Sequence, residues 1–374
     1  MTTAADLGEC LRAIANRHVR PDDRKAWGQI GTTLVPIAIL WACVVPAAQV
    51  SAWLVVAITL VLSLFLVRVF VLMHDCGHGS MFRRAPLNAV WGFVLGVASG
   101  ISQPVWSQRH QFHHATNGNW SKYRGPLNII TVDEYAALTP GRQRRYRLLR
   151  SIWLAFFGGF LYLILSPRLT WLRASALLVR HVVARKLAAP SVSTRTHAQG
   201  FSTPCCASLE EYGHMFWNNL AVLALWAVMA WAIGPLLFFS CYLVSLSLAG
   251  GAAIVLFTVQ HNFEHAYASG DEGWDRDAAV IRGTSFLLLP AWLNWFTADI
   301  AYHHIHHLCA RVPNYCLAAC HADQARRFTG VARIRLSQIP HSLKYILWDT
   351  RAGQLVSVAE QLLWSAHRTG GVHV

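Results

Sequence analysis

Long apolar runs, each ending in a polar segment that carries histidines, set the rhythm of this chain. Residues 28–50 form the first run, with Pro36 and Pro46 inside or near its ends, and residues 51–73 form the second, interrupted only by Arg68. A helix crosses a bilayer with about 20 apolar residues, so both runs predict spans. Only a short turn near 46–51 joins them, which makes a hairpin. Residues 215–234 and 235–259 repeat the pattern, turned at Gly234-Pro235. The stretch 86–107 is apolar but rich in glycine and serine, and it predicts a re-entrant or interfacial helix. Residues 152–166 are short for a span and are followed by Arg168, Arg173, Arg180 and Arg185, which predicts amphipathic helices along the membrane surface. Residues 186–208 read as a flexible loop, 285–298 as an aromatic interfacial stretch, and the last ~60 residues as cytosolic. The expected fold is an all-α integral membrane protein. It has four transmembrane helices in two hairpins, interfacial helices and a cytosolic histidine-rich cap, in one domain over 1–374.

Composition supports the membrane reading. Of 374 residues, 54% are hydrophobic and only 13% charged, about half of the roughly 25% usual in soluble domains. The net charge of +14 would also suit nucleic acid. The apolar runs are long, however, and no nucleic-acid fold signature is present, so no nucleic-acid partner is expected. Lysine and arginine concentrate in cytoplasmic loops. Here they fall in the segments that carry the histidine clusters, which predicts both termini and every cluster on the cytoplasmic side. Residues 1–27 read as a cytoplasmic amphipathic segment without the apolar core of a signal peptide. The nine cysteines show no paired metal spacing and predict reduced thiols rather than a disulfide framework.

The histidines change the picture from membrane protein to metal site. Residues at i, i+3 and i+4 share a helix face. His303, His306 and His307 have that spacing, as do His110, His113 and His114, and His74 and His78 form an i, i+4 pair. Eight imidazoles in three sets exceed what a four-coordinate zinc site uses. Imidazole suits iron, so the pattern predicts a two-metal, nitrogen-rich centre with room for dioxygen. Metal-bound imidazoles usually donate their other N–H to a carboxylate or carbonyl, which makes Asp75, Glu264 and Asp299 supporting residues. The run 142–150, with Arg142, Arg144, Arg145, Arg147 and Arg150, would dock an acidic partner or anionic headgroups, or anchor the topology. Trp292, Trp295 and Phe296 read as packing or as the lining of an apolar tunnel. A membrane metal transporter is the rival from another class, but its ligands would lie within the spans rather than beyond their ends.

The motifs His74-x-x-x-His78, His110-x-x-His113-His114 and His303-x-x-His306-His307 resemble the three histidine boxes of the integral-membrane fatty acid desaturases. The stretches 74–80, 260–264, 302–308 and 312–315 are most similar to the acyl-lipid omega-6 (delta-12) branch, and the likeness covers about 35–325. The resemblance implies a non-haem centre of two iron ions, with O2 as co-substrate. It implies a fatty acyl substrate, lipid-linked or as acyl-CoA, and electrons from a separate ferredoxin or cytochrome b5. The product would carry a new cis double bond; hydroxylation on the same centre is the near alternative. The family also implies a further ligand after the last span. His261 holds that position, although His265, four residues on, shares its helical face. His304 falls on a variable position of the third box and reads as a supporting or filler residue.

Overall fold

The computed structural model describes residues 12–361 apart from 126 and 324, so the first 11 residues of the expected N-terminal segment and the last 13 of the C-terminal one lie outside the described residues. The chain resolves into two compact units of non-contiguous segments, Ala26–Arg109 with Phe157–Gly251, and Met1–Lys25 with His110–Phe156 and Ala252–Val374.

The first unit is helical. Its leading hairpin pairs Asp23–Val50 with Ala52–Gly77. The break falls at Ser51, whose hydroxyl accepts from Trp53 N–H and caps the second helix. Arg68, buried in that helix, donates from Nε to Thr33 Oγ1 at 3.0 Å across the hairpin. Ala85–Ser99 and Gln103–Thr116 follow, bent by 97° at their junction. Gly100, at φ +77°, makes the elbow and caps the first of the two. Leu209–Ile233 and Pro235–Val259 form the second hairpin, turned at Gly234 with φ +90°.

Among the described residues five helices are long and apolar enough to cross a membrane, or six if the bent pair counts as one. The sequence reading anticipated four. The addition is Ile152–Ala188. Its 3-10 turn Ile152–Leu154, helix Ala155–Gly159, π-turn Phe160–Leu165 and helix Ser166–Ala188 follow without a break. The apolar positions on both sides of Arg168 therefore share one rod. Residues 186–208 are also more ordered than expected. A short helix, Thr194–Ala198, is capped by Ser193, and His197 Nε2 lies 3.1 Å from the Ala189 carbonyl.

The second unit carries β-structure that an all-α expectation omitted. Ser285–Leu288 pairs in parallel with Ala332–Arg335, and Tyr345–Asp349 lies between Ile130–Thr131 and Gln354–Ser357. These strands have two to five residues, too few for an alternating pattern to show. Within the 142–150 run, Tyr146 is buried and donates to the Ile346 carbonyl at 2.6 Å. Arg150 covers the Tyr146 ring and bonds the Leu127 and Asn128 carbonyls, while Arg142, Arg144, Arg145 and Arg147 stay exposed. The eight described cysteines are free thiols.

Candidate metal centre

The third histidine cluster forms a single helix, His303–Leu308. Its orientation is set by its apolar residues. Ile305 and Leu308 are buried in a core with Val280, Phe286, Val312, Leu317, Phe328 and Val331. That leaves His303, His306 and His307 on the opposite side. The chain enters through a strained turn in which Ala298 (φ +44°) and Asp299 (φ +56°) both take the left-handed region. Such residues cost about 1–3 kcal/mol each and persist only where surrounding structure imposes them. The imposing contacts are backbone bonds: Asp299 N–H to Asn294 O at 3.0 Å and Leu287 N–H to Ala301 O at 3.1 Å.

His261 lies just beyond Pro235–Val259, clamped on both sides. Gln260 Nε2 donates to the Ile300 carbonyl at 2.9 Å, and Asn262 Nδ2 to that of Tyr345 at 3.0 Å. These bonds tie the end of the last apolar helix to the approach of the third cluster.

Four imidazoles meet within this unit. His113, His261, His303 and His307 are all buried, with one ring nitrogen of each within 4.8 Å of every other. The Nε2 atoms of His303 and His261 are 2.9 Å apart, and those of His113 and His307 are 3.2 Å apart. Three more follow the same rule: His114 Nε2 lies 3.0 Å from that of His110 and 2.9 Å from that of His306. Donor atoms about 2.1 Å from one cation stand roughly 3 Å from their neighbours. A ring nitrogen has either one proton or one lone pair, so His114 Nε2 cannot satisfy two facing nitrogens by hydrogen bonding alone. The donor set fits a cation.

Electrostatics point the same way. Burial lowers the His261 pKa to about 4, only partly offset by the Gly283 carbonyl. That carbonyl lies 3.1 Å from Nδ1, which places the proton there and leaves the Nε2 lone pair for a metal. His307 is held well below the ordinary histidine range, first by burial and then by His114, His303, His261 and His113. His261 and His307 are therefore neutral at physiological pH, as ligands must be.

The remaining sequence-predicted residues each have their own neighbours. His74 and His78 close the Ala52–Gly77 helix in the other unit with ring centroids 4.7 Å apart, and His74 Nδ1 lies 2.9 Å from the buried Asp75 carboxylate. His265 is exposed with φ +58° and sits 3.9 Å from the exposed Glu264 carboxylate. Neither joins the four-histidine group, because the helix ends at Val259 and the i, i+4 spacing of His261 and His265 no longer gives them a shared face. The Asp299 backbone carbonyl accepts from Tyr302 N–H at 3.0 Å. His304 is fully buried and faces the other way, with Nε2 2.9 Å from His321 Nδ1 and its ring against Phe286 and Phe328. Trp292 and Trp295 are exposed. Sequence reasoning missed Phe257, which packs against His113 and His261, although its i−4 spacing from His261 was a usable signal. It also missed His321 and the Gly283 carbonyl, which no local spacing marks.

Helices of spanning length together with imidazoles grouped at ligand separation define a membrane protein with a histidine-rich metal-binding group. The chain belongs to the fatty acid desaturase family, whose model matches residues 51–337. It is 31% identical to a fatty acid desaturase of Bacillus subtilis (strain 168), across 90% of this chain and 87% of that one. An sn-1 oleoyl-lipid 12-desaturase of Picosynechococcus sp. is 23% identical across 80% of this chain and 76% of its own length. A chloroplastic sn-2 acyl-lipid omega-3 desaturase (ferredoxin) of Arabidopsis thaliana is 30% identical over 97 residues, 26% of this chain and 22% of its own. The protein is an oxidoreductase of the desaturase class.

Proposed function

We propose that this enzyme inserts a cis double bond into a fatty acyl chain at a centre of two iron ions, with omega-6/delta-12 regiochemistry. The observation that carries the reading is the buried quartet of His113, His261, His303 and His307, whose ring nitrogens face one another at ligand separation. These four would hold one ion. His110, His114 and His306 belong to the second ion, and His74 and His78 enter the ligand set on their motif spacing. Bound iron would supply the dioxygen chemistry that removes hydrogen from an unactivated chain. The protein's own residues keep the ligands neutral, fix their tautomers through Gly283 and Asp75, and exclude water by burial.

The regiochemistry rests on the 260–264 and 302–308 motifs and on the printed specificity of the Picosynechococcus relative. Electrons would come from a separate acidic carrier, a ferredoxin or a cytochrome b5. The exposed Arg142, Arg144, Arg145 and Arg147 would receive it by charge complementarity, and one relative's name includes ferredoxin. The substrate would be a lipid-linked or coenzyme A ester on the cytoplasmic side, the side that the positive-inside tendency favours for loops carrying the clusters.

The test is expression in a host that lacks diunsaturated acids, with methyl-ester profiling and iron analysis of the purified protein. Two irons per chain and a new diene support the reading. A hydroxylated product or an iron-free active enzyme would overturn it.

A further inference from the structure

The helical unit of Ala26–Arg109 and Phe157–Gly251 contains a second cluster of polar groups that the proposed chemistry does not use. Arg168 is 9% exposed and follows the π-turn Phe160–Leu165. Its Nη1 donates to the Gly100 carbonyl at the elbow and to Leu163 O at 3.0 Å. The other elbow carbonyl, Ile101 O, accepts from Asn218 Nδ2 at 3.1 Å. These contacts explain one nitrogen of the guanidinium. Nε and Nη2 are buried with no hydrogen-bond partner.

Two more buried polar groups stand beside them, the indole N–H of Trp226 and the hydroxyl of Tyr242, which face one another. The guanidinium carbon lies 5.6 Å from the Trp226 ring centroid, and the Trp226 and Tyr242 rings meet edge to face at 5.7 Å. The unit's sequence holds three carboxylates, Asp75, Glu210 and Glu211, and each is engaged elsewhere. Asp75 faces His74, Glu211 accepts from Ala207 N–H, and Glu210 is exposed beside His214. A buried guanidinium without a counter-charge is strongly disfavoured. An acceptor-rich anion would answer the two free guanidinium nitrogens together with the Tyr242 O–H, with the Trp226 indole packed alongside, and the arginine fork suits a carboxylate or a phosphate. The same two helices expose Val228, Trp231 and Leu236, an apolar outer surface suited to a lipid tail.

We propose that Arg168, Trp226 and Tyr242 bind the oxyanion of a membrane lipid, a carboxylate or a phosphate, in a site that shares no residue with the histidine groups. The proposal does not depend on the reaction proposed above. Purified full-length protein in detergent is titrated with oleate, with phosphatidylglycerol and with methyl oleate, and bound lipid is counted by native mass spectrometry. One equivalent of oleate or of phosphatidylglycerol is expected to remain bound, and which of them remains identifies the group. Methyl oleate should wash out. Arg168→Gln should weaken anion binding by about tenfold or more, and Tyr242→Phe by a few-fold. Equal retention of methyl oleate, retention of neither anion, or unchanged affinity in R168Q overturns the proposal. Arg168 also holds the elbow, so R168Q could fail to fold. W226F and Y242F leave the Gly100 and Leu163 contacts intact and then decide: weakened anion binding supports the site, and unchanged binding in both rejects it.

Discussion

Imidazoles in this chain divide by what each ring nitrogen faces, and substitutions should divide the same way. His307→Ala removes a member of the buried quartet. It should lower iron content and abolish desaturation, read by metal analysis and methyl-ester profiling of one preparation. His304→Ala breaks only the contact with His321 and opens space beside Phe286 and Phe328. It should retain iron and lose about 1–3 kcal/mol of stability, read as a lower melting temperature. Loss of iron in H304A with retention in H307A would reverse the assignment. Acid should act through the same rings. The folded pKa of His261 is about 4 against an ordinary 6.5, so the unfolded chain binds the extra proton first. The corresponding stability is complete above pH 6.5 and is lost as pH falls from there toward 4. Metal-free protein should therefore melt progressively lower through that window, and loaded protein should release iron in it as protons compete. At this scale most of the site was legible, because i, i+3, i+4 spacing is a local property. Two things were not. His261 and His265 share a helical face on paper, and only the clamp by Gln260 and Asn262 turns one inward. The partnership of His304 with His321 depends on how a later helix packs.

Helices reveal themselves by length and composition, and strands of two to five residues do not, which is why 28–73 and 215–259 were readable and the small sheets were not. The Ile152–Ala188 rod was hidden for a different reason: Arg168 divides its apolar residues into two short halves. What seats this rod is close backbone approach. A Cβ on Gly159 would collide with the Ser247 carbonyl and the Gly251 amide, and one on Gly250 would fall 2.7 Å from Gly159 Cα. Backbone cannot yield as a side-chain tip does, so Gly159→Ala and Gly250→Ala should each cost about 1–3 kcal/mol. Gly141→Ala, with nothing within 4 Å, should be neutral or stabilising by up to about 1 kcal/mol. Thermal melts of the three variants in one detergent check the contrast. Equal melting of G159A and G141A would mean that the close approach does not seat the rod.

For the whole molecule the membrane imposes a parity. His113 and His261 belong to one buried group, so the chain between them must cross the bilayer an even number of times. Three helices of spanning composition lie in that interval: Ile152–Ala188, Leu209–Ile233 and Pro235–Val259. The expectation is that one of them lies along the membrane or turns back. The first has only 152–167 free of charge before its series of arginines, short of the roughly 20 residues a crossing needs. The expected outcome is that Ser193, beyond that rod, stays on the histidine side, while Gln49, in the last turn of the first helix, lies on the other. Single cysteines at these positions, in a background stripped of the native nine, would be read with an impermeant thiol reagent on intact cells. Labelling at 49 and protection at 193 is predicted; labelling at 193 would make the rod a true span.

The buried quartet draws its members from far along the chain. His113 and His307 are 194 residues apart, and His261 and His303 are 42 apart. During synthesis, therefore, no complete coordination sphere exists until translation has passed residue 307 and that segment has cleared the ribosome. With iron held by this quartet, the expected delivery is late in biogenesis, to a nearly finished, already inserted polypeptide. A nascent chain arrested at residue 300 should sit in the membrane with its hairpins formed and take up no metal.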